Sequence, residues 1–350
     1  MSDKQNKLRV GITIGDVAGV GPEIIIKTFL NEQMYKICTP IVFGNSKAIS
    51  YYVKVLDEKR LKYGSVKSLE NLPHNTLNIY NITHDEINIT PGSPDKETGL
   101  FALNALEDAC EALKNKQIDV LVTGPVNKKV INLNNPDFKG QTEFIQEKLG
   151  HDKSMMMMVS DDIRLGLATN HLSIKEVPAA LTNKLLKEKI ITIENTLKQD
   201  FGIDKPRIAV LALNPHAGDG GILGSEEEKI ITPVIQELKR MERLVFGPFG
   251  ADAFWGQMGY KAFDGIVAMY HDQGLIPFKY IAGMEGTNFA AGLDYVRTSP
   301  DHGTAEDIAG KDLADPTSLR NAIYRAIDIY NQRLNYHESR ANALVSQNNS

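Results

Sequence analysis

The chain has 350 residues, enough for two domains of ordinary size or one large α/β unit. Hydrophobic residues make up 42% and charged residues 24%, which excludes a disordered chain and supports a sizeable core. With 39 Lys+Arg against 44 Asp+Glu the formal charge is −5, and no basic block stands out, which argues against a general binder of nucleic acid or anionic membranes.

The N-terminus, Met1-Ser-Asp-Lys-Gln-Asn-Lys7, is polar and leads straight into an apolar run from Leu8. No signal-peptide pattern is visible, and no stretch approaches the ~18 apolar residues of a membrane span. A cytoplasmic protein is expected. Strand patterns fall at Leu8–Ile14, Thr39–Phe43, Ile118–Thr123, Met155–Val159, Ile163–Thr169, Arg207–Leu213, Leu244–Phe246 and Gly265–Tyr270. Helical patterns between them include Gly99–Asn115, Thr182–Gln199 and Glu226–Met241, the last opened by a capping box of Ser225 and Glu228. Strands with continuous apolar faces separated by helices predict an α/β class with mainly parallel sheets covered on both sides. Cys38 and Cys110 read as reduced packing residues, Met155–Met158 as a buried strand, and the tail after Asn335 as polar and frayed. No Pro/Gly/Ser-rich linker divides the chain, so it is expected to cross between domains more than once, near Asn127–Gln141 and after Lys279. The expected domains are residues 1–135 with 280–350, and residues 136–279.

Three apolar strands end in a polar turn carrying histidine. They read Leu165-Gly-Leu-Ala-Thr-Asn-His171, Val210-Leu-Ala-Leu-Asn-Pro-His216 and Ile266-Val-Ala-Met-Tyr-His271. Ligands of open parallel sheets bind beyond the carboxyl ends of the strands, and three imidazoles delivered there can converge on one divalent metal. His74, His84, His151 and His337 lack this setting and read as surface or packing residues. Around His216 the glycine-rich segment Asn214–Glu226 suits a loop that approaches a ligand closely, an irregular exposed loop being the alternative. Gly15-Asp-Val-Ala-Gly-Val-Gly-Pro-Glu23 follows a strand and precedes a helix, but its spacing supports neither a Rossmann nor a P-loop site. Lys279, Asn288 and Arg297 can hold a phosphate or carboxylate, or can be solvated charges. Gln141 and Thr142 open a helix, where free amides favour an anion and simple capping is the alternative.

Eight blocks in chain order carry a family resemblance. They are Gly11–Asp16 with Gly19–Glu23, Val122–Lys128, Gly140–Phe144, Asn214–Asp219, Gly247–Asp252, Tyr270–Gly274, Gly286–Asn288 and Val296–Ala305. Together they resemble the 4-hydroxythreonine-4-phosphate dehydrogenase family of vitamin B6 biosynthesis. The last block, extended to Lys311, also resembles the nucleotide-binding loop of isopropylmalate and isocitrate dehydrogenases. The resemblance implies two α/β/α domains with a cleft between them. The first carries the nucleotide loop and the second the metal and substrate side.

The same resemblance implies NAD-dependent oxidation of 4-phosphooxy-L-threonine at C3, with decarboxylation to 3-amino-2-oxopropyl phosphate. It makes His171, His216 and His271 ligands of one divalent metal (zinc, magnesium or cobalt) in a homodimer, with His271 supplied by the partner subunit. Gln141, Thr142, Lys279, Asn288 and Arg297 match substrate-binding positions, and His302, Gly303, Thr304 and Ala305 match the cofactor loop. Lys279, Asp252 and Asp272 are the candidates to take the hydroxyl proton. Gln141 departs from the family, which commonly has histidine there, and it carries neither charge nor a mobile proton. Oxidation of D-threonate or D-erythronate 4-phosphate is therefore an alternative. Phosphate acyl transfer and non-catalytic phosphate binding are the rivals from other classes.

Overall fold

Aliphatic runs without polar alternation need cover on both faces, and here they become the central strands. In the computed structural model residues 7–83, 87–150 and 154–341 are described, which leaves His84 and His151 outside the described residues. The first strands are β1 (Leu8–Thr13), β2 (Cys38–Gly44), β3 (Tyr63–Val66), β4 (Leu77–Asn81), β5 (Val120–Thr123) and β6 (Met155–Val159). They are followed by β7 (Arg164–Leu167), β8 (Ile208–Leu211), β9 (Val245–Phe249), β10 (Gly265–Ala268), β11 (Thr287–Ala291) and β12 (Arg297–Pro300). The chain divides into two compact units, Met1–Ser154 with Met284–Ile327, and Met155–Gly283 with Asp328–Ser350.

In the first unit the strand order is β3-β4-β2-β1-β5-β12-β11. All of these pairs are parallel except β11 with β12. Helix Lys96–Lys114 starts with a reciprocal cap in which Asp95 accepts from the Thr98 N–H and the Thr98 hydroxyl accepts from the Asp95 N–H. Its inner face joins Phe43, Leu121 and Ile131 in one core, and Phe138, Phe144, Ile145 and Leu149 belong to that same core. That packing carries the first unit past residue 135 to residue 154. Buried Glu23, in helix Gly21–Phe29, accepts from the backbone N–H of Gly310 at 3.1 Å and of Ala314 at 2.9 Å, and pairs with Lys27.

In the second unit the order is β6-β7-β10-β8-β9, with an antiparallel β6–β7 pair and parallel neighbours thereafter. The methionine run forms β6 as its composition implies, with Met155, Met157 and Met158 buried and Met156 half-buried. Helices Asn183–Phe201 and Thr317–Ala341 are joined by a buried ion pair of Asp200 and Arg333. The latter helix continues beyond Asn335, contrary to the expected fraying, with Arg340 stacked over the Tyr336 ring.

The Ser225–Glu228 capping box does not form. Glu227 turns its carboxylate back to the N–H groups of Leu213 and Asn214, and the helix opens with a wide π-type turn over Glu227–Ile231. The two cysteines are free and buried, and burial pushes each thiol up to about 12. Among the described residues no helix is long and apolar enough to cross a membrane.

Gly99 marks a close helix–helix approach: a Cβ there would stand 2.5 Å from the Val130 carbonyl carbon and oxygen. Alanine gains about 1 kcal/mol in helix propensity, but a backbone carbonyl cannot rotate away, and overpacking costs ~1–3 kcal/mol. Gly99→Ala should therefore lower the urea midpoint. A raised midpoint would show that the helices part at no cost.

Candidate active site

Parallel strands release the chain at one edge, and in the second unit three neighbours do so in the order β7-β10-β8. His171 follows β7, His271 follows β10 and His216 follows β8. The rings of His171 and His271 lie 6.1 Å apart, centroid to centroid. His271 opens helix His271–Ala282, and its Nδ1 bonds to Asp272 Oδ1 at 2.7 Å. A carboxylate on Nδ1 orients the ring and leaves Nε2 as the donor atom for a metal. His216 sits in an exposed turn where residues from His216 to Gly221 all have positive φ, His216 itself at 52°. Three non-glycine residues in that region (His216, Ala217 and Asp219) make the turn strained, and strain of this kind collects at ligand sites.

Neighbouring side chains hold this edge together. Buried Glu227 accepts from Leu213 N, Asn214 N and Asn214 Nδ2 at 2.8–2.9 Å, which anchors the start of the His216 turn. Buried Gln273 bonds to Met269 and Ala212, and the Thr169 hydroxyl donates to the Met269 carbonyl. None of these three was singled out from the sequence. Gln273 and Ala212 are 61 residues apart, beyond the reach of any local pattern.

Among the described residues no three His, Cys, Asp or Glu side chains of one chain form a group able to hold a metal ion. In donor chemistry the residues fit one: imidazoles on adjacent strand ends, one with its ring already oriented by a carboxylate. Asp252 is exposed in the first turn of helix Ala251–Gly256, and Lys279 is exposed on helix His271–Ala282.

The other expected residues belong to the first unit. Arg297, at the start of β12, is only 2% exposed. Its Nε and Nη2 donate to the Thr123 hydroxyl at 3.2 and 2.6 Å, and its Nη1 donates to the Thr142 hydroxyl at 3.1 Å. No carboxylate forms an ion pair with it among the described residues; loss of water on burial pulls its pKa down to about 10, against the weaker opposing pull of Cys110 and Glu143. Thr142 comes from helix Gln141–Lys148, whose first residue donates Nε2 to the Gly124 carbonyl at 3.0 Å. Asn288 on β11 pairs with Ser299 on β12, which places it on the Arg297 face of the two strands. The buried oxygens Gln141 Oε1 and Asn288 Oδ1 have no hydrogen-bond partner. A buried guanidinium without a counter-ion is costly, and an anionic ligand supplies what it lacks.

The residues expected to hold the nucleotide, His302, Gly303, Thr304 and Ala305, are in the first unit as well. Val20 N donates to the Thr304 carbonyl at 2.9 Å, and a Cβ on Gly19 would stand 2.7 Å from that oxygen. Two sequence motifs far apart in the chain are thus in backbone contact. The Thr304 hydroxyl and Asn127 Nδ2 both donate to Glu306 Oε1, and buried His302 Nε2 has no partner. His74 and His337 are exposed.

The family described as "Pyridoxal phosphate biosynthetic protein PdxA" matches residues 36–326. The chain belongs to this family. A curated 4-hydroxythreonine-4-phosphate dehydrogenase of Bacteroides thetaiotaomicron is 47% identical over 345 residues, covering 98% of this chain and 94% of that protein. One from Sulfurihydrogenibium is 36% identical over 91% of this chain and 98% of its own length. The crystal structure of 4-hydroxythreonine-4-phosphate dehydrogenase from Klebsiella pneumoniae superposes with a TM-score of 0.81 at 28% identity, covering 94% and 99% of the two chains. The chain is therefore an enzyme, of an oxidoreductase family.

Arg297 yields a prediction about anions. Inorganic phosphate should raise the melting temperature of the protein, by ~2.7 kcal/mol of stability at a hundred times its Kd. The free guanidinium titrates at about 10, so this protection should hold at neutral pH and fade as pH rises through that value. Arg297→Met removes a buried unpaired charge: its ligand-free melting temperature should stay close to wild type, and phosphate should not raise it. Equal protection of both proteins by phosphate would place the anion elsewhere.

Proposed function

We propose that this chain oxidises 4-phosphooxy-L-threonine at C3, dependent on NAD and a divalent metal, and releases carbon dioxide to give 3-amino-2-oxopropyl phosphate. The observation that carries this reading is the delivery of His171, His271 and His216 from three adjacent parallel strands to one edge. Close relatives over nearly the full length carry the dehydrogenase name.

When bound, the metal would supply positive charge that lowers the pKa of the substrate hydroxyl, and NAD would supply the hydride acceptor. His171, His216 and His271 would hold the metal, and His302, Gly303, Thr304 and Ala305 the nucleotide. The chain's own residues bind and orient the substrate. Arg297 gives the two-pronged contact that a phosphate or carboxylate prefers, with the Thr142 hydroxyl beside it. Gln141 Oε1 and Asn288 Oδ1 accept from hydroxyl or ammonium groups of the substrate. Lys279 adds a second cation for the anionic groups. Asp272 orients His271 through the ring nitrogen it already contacts, which leaves Asp252, or Lys279 where it is neutral rather than a cation, to take the hydroxyl proton.

Two chains would complete each site. The helix that starts with His271 exposes Ile276 and Tyr280, at 66% and 91%, one turn apart on one face, a surface suited to a partner subunit. Mixing inactive His171→Ala and His271→Ala proteins should then restore activity at roughly a quarter of all sites, since half the dimers are mixed and each holds one intact site. No recovery, with subunit exchange verified, would mean that all three ligands come from one chain.

The reaction itself is tested by NADH formation. Wild-type protein should reduce NAD with 4-phosphooxy-L-threonine, chelator should stop it, and His216→Ala should abolish both metal retention and turnover. Threonate or erythronate 4-phosphate serves as the competing substrate, and a higher kcat/KM for either would assign Gln141 to a sugar-acid phosphate. NADH formation by a metal-free His216→Ala protein would contradict the metalloenzyme reading.

A further inference from the structure

One side chain at the carboxyl edge of the second unit is bonded to two strand ends at once. Gln273 lies in the first turn of helix His271–Ala282 and is 9% exposed. Its amide oxygen accepts from Met269 N at 2.7 Å, and its amide nitrogen donates to the Ala212 carbonyl at 2.6 Å. Met269 is the first residue after β10, and Ala212 the first after β8. Parallel neighbours ordinarily close such a gap with a direct N–H···O=C bond. Here a side-chain amide is inserted between them, so the strand ends stand apart by its width while both backbone groups stay satisfied.

The lacing continues on the other side of Met269. Its carbonyl accepts from the Thr169 hydroxyl at 2.7 Å and from Thr169 N at 3.2 Å. Thr169 precedes His171 by two residues, Met269 precedes His271 by two, and Ala212 precedes His216 by four. The chain Thr169–Met269–Gln273–Ala212 therefore ties together the three segments that carry the histidines. A glutamine serving only its own helix would not reach a carbonyl on another strand.

We propose that Gln273 is a positioning residue: its amide sets the separation of the strand ends from which His171, His271 and His216 project. Without it, Met269 N–H and the Ala212 carbonyl are buried without partners, and closing on each other is the nearest remedy. The strand ends would then draw together and carry the imidazoles with them. As applied to a metal, this rests on the reading of the three histidines as ligands. Outer partners of metal ligands typically alter metal affinity ~10–100-fold.

The test uses the full-length protein with Gln273→Met, which keeps the volume and removes both bonds. Thr169→Val is the milder second variant should Gln273→Met fail to fold. Imidazole Cε1–H signals of the metal-free proteins are compared first, with His74 and His337 as internal controls. The proposal expects the signals of His171, His216 and His271 to move while the controls stay. Cobalt(II) titration then expects at least tenfold weaker binding and a changed visible d–d spectrum. Superimposable histidine signals with unchanged cobalt affinity would overturn the positioning role. If wild-type protein binds no cobalt and the three signals still move, the metal reading fails and the positioning role stands.

Discussion

Parallel strands impose a constraint that antiparallel strands do not. Each must be re-entered from the same end, so every carboxyl end opens onto one edge, and side chains a few residues further on become neighbours whatever their separation in sequence. Between β7, β10 and β8 this delivers His171, His271 and His216 to one edge, from turns some 45 to 100 residues apart. Because strand spacing is set by backbone bonding, the groups that interrupt or extend that bonding at the edge decide where the imidazoles stand. Asp272, Glu227, Thr169 and Gln273 all act at this level, on a ring nitrogen or on backbone groups next to a histidine turn.

A second constraint is electrostatic. Arg297 is held by hydroxyl groups in a place that strips it of water, with Glu143 near enough to favour its charge but not to pair with it. Such an arrangement costs stability in the free protein and favours an anionic ligand when one is bound. The unpartnered Gln141 and Asn288 oxygens have the same character: polar groups kept dry without a protein partner. Binding groups that the fold itself leaves unsatisfied are the expected mark of a site whose last partner is the substrate.

Much of this was legible in the sequence. Apolar runs without alternation located β1, β2, β5, β8 and β10, and the repeated strand–turn–histidine pattern pointed to the edge on which the histidines emerge. Long-range side-chain bonding was not legible. Gln273, Glu227 and Thr123 act on partners distant in sequence, and nothing in their local spacing distinguishes them from surface or packing residues. The Ser225–Glu228 cap failed for a local reason: the Ser225 N–H it needs donates to Glu226 Oε2, and the helix opens with a π-type turn. The glycine density after Asn214 correctly marked a loop of unusual backbone, but not that His216 itself adopts the left-handed conformation.

His171, His216 and His271 are proposed to bind one divalent cation jointly. Anomalous diffraction at the cobalt edge, from crystals of the full-length protein grown with cobalt and phosphate, tests it most directly. The account predicts one strong peak per site, about 2.0–2.1 Å from a nitrogen of each of the three imidazoles. A peak bound by other side chains, or a fully loaded site that one of the three histidines does not touch, would contradict it.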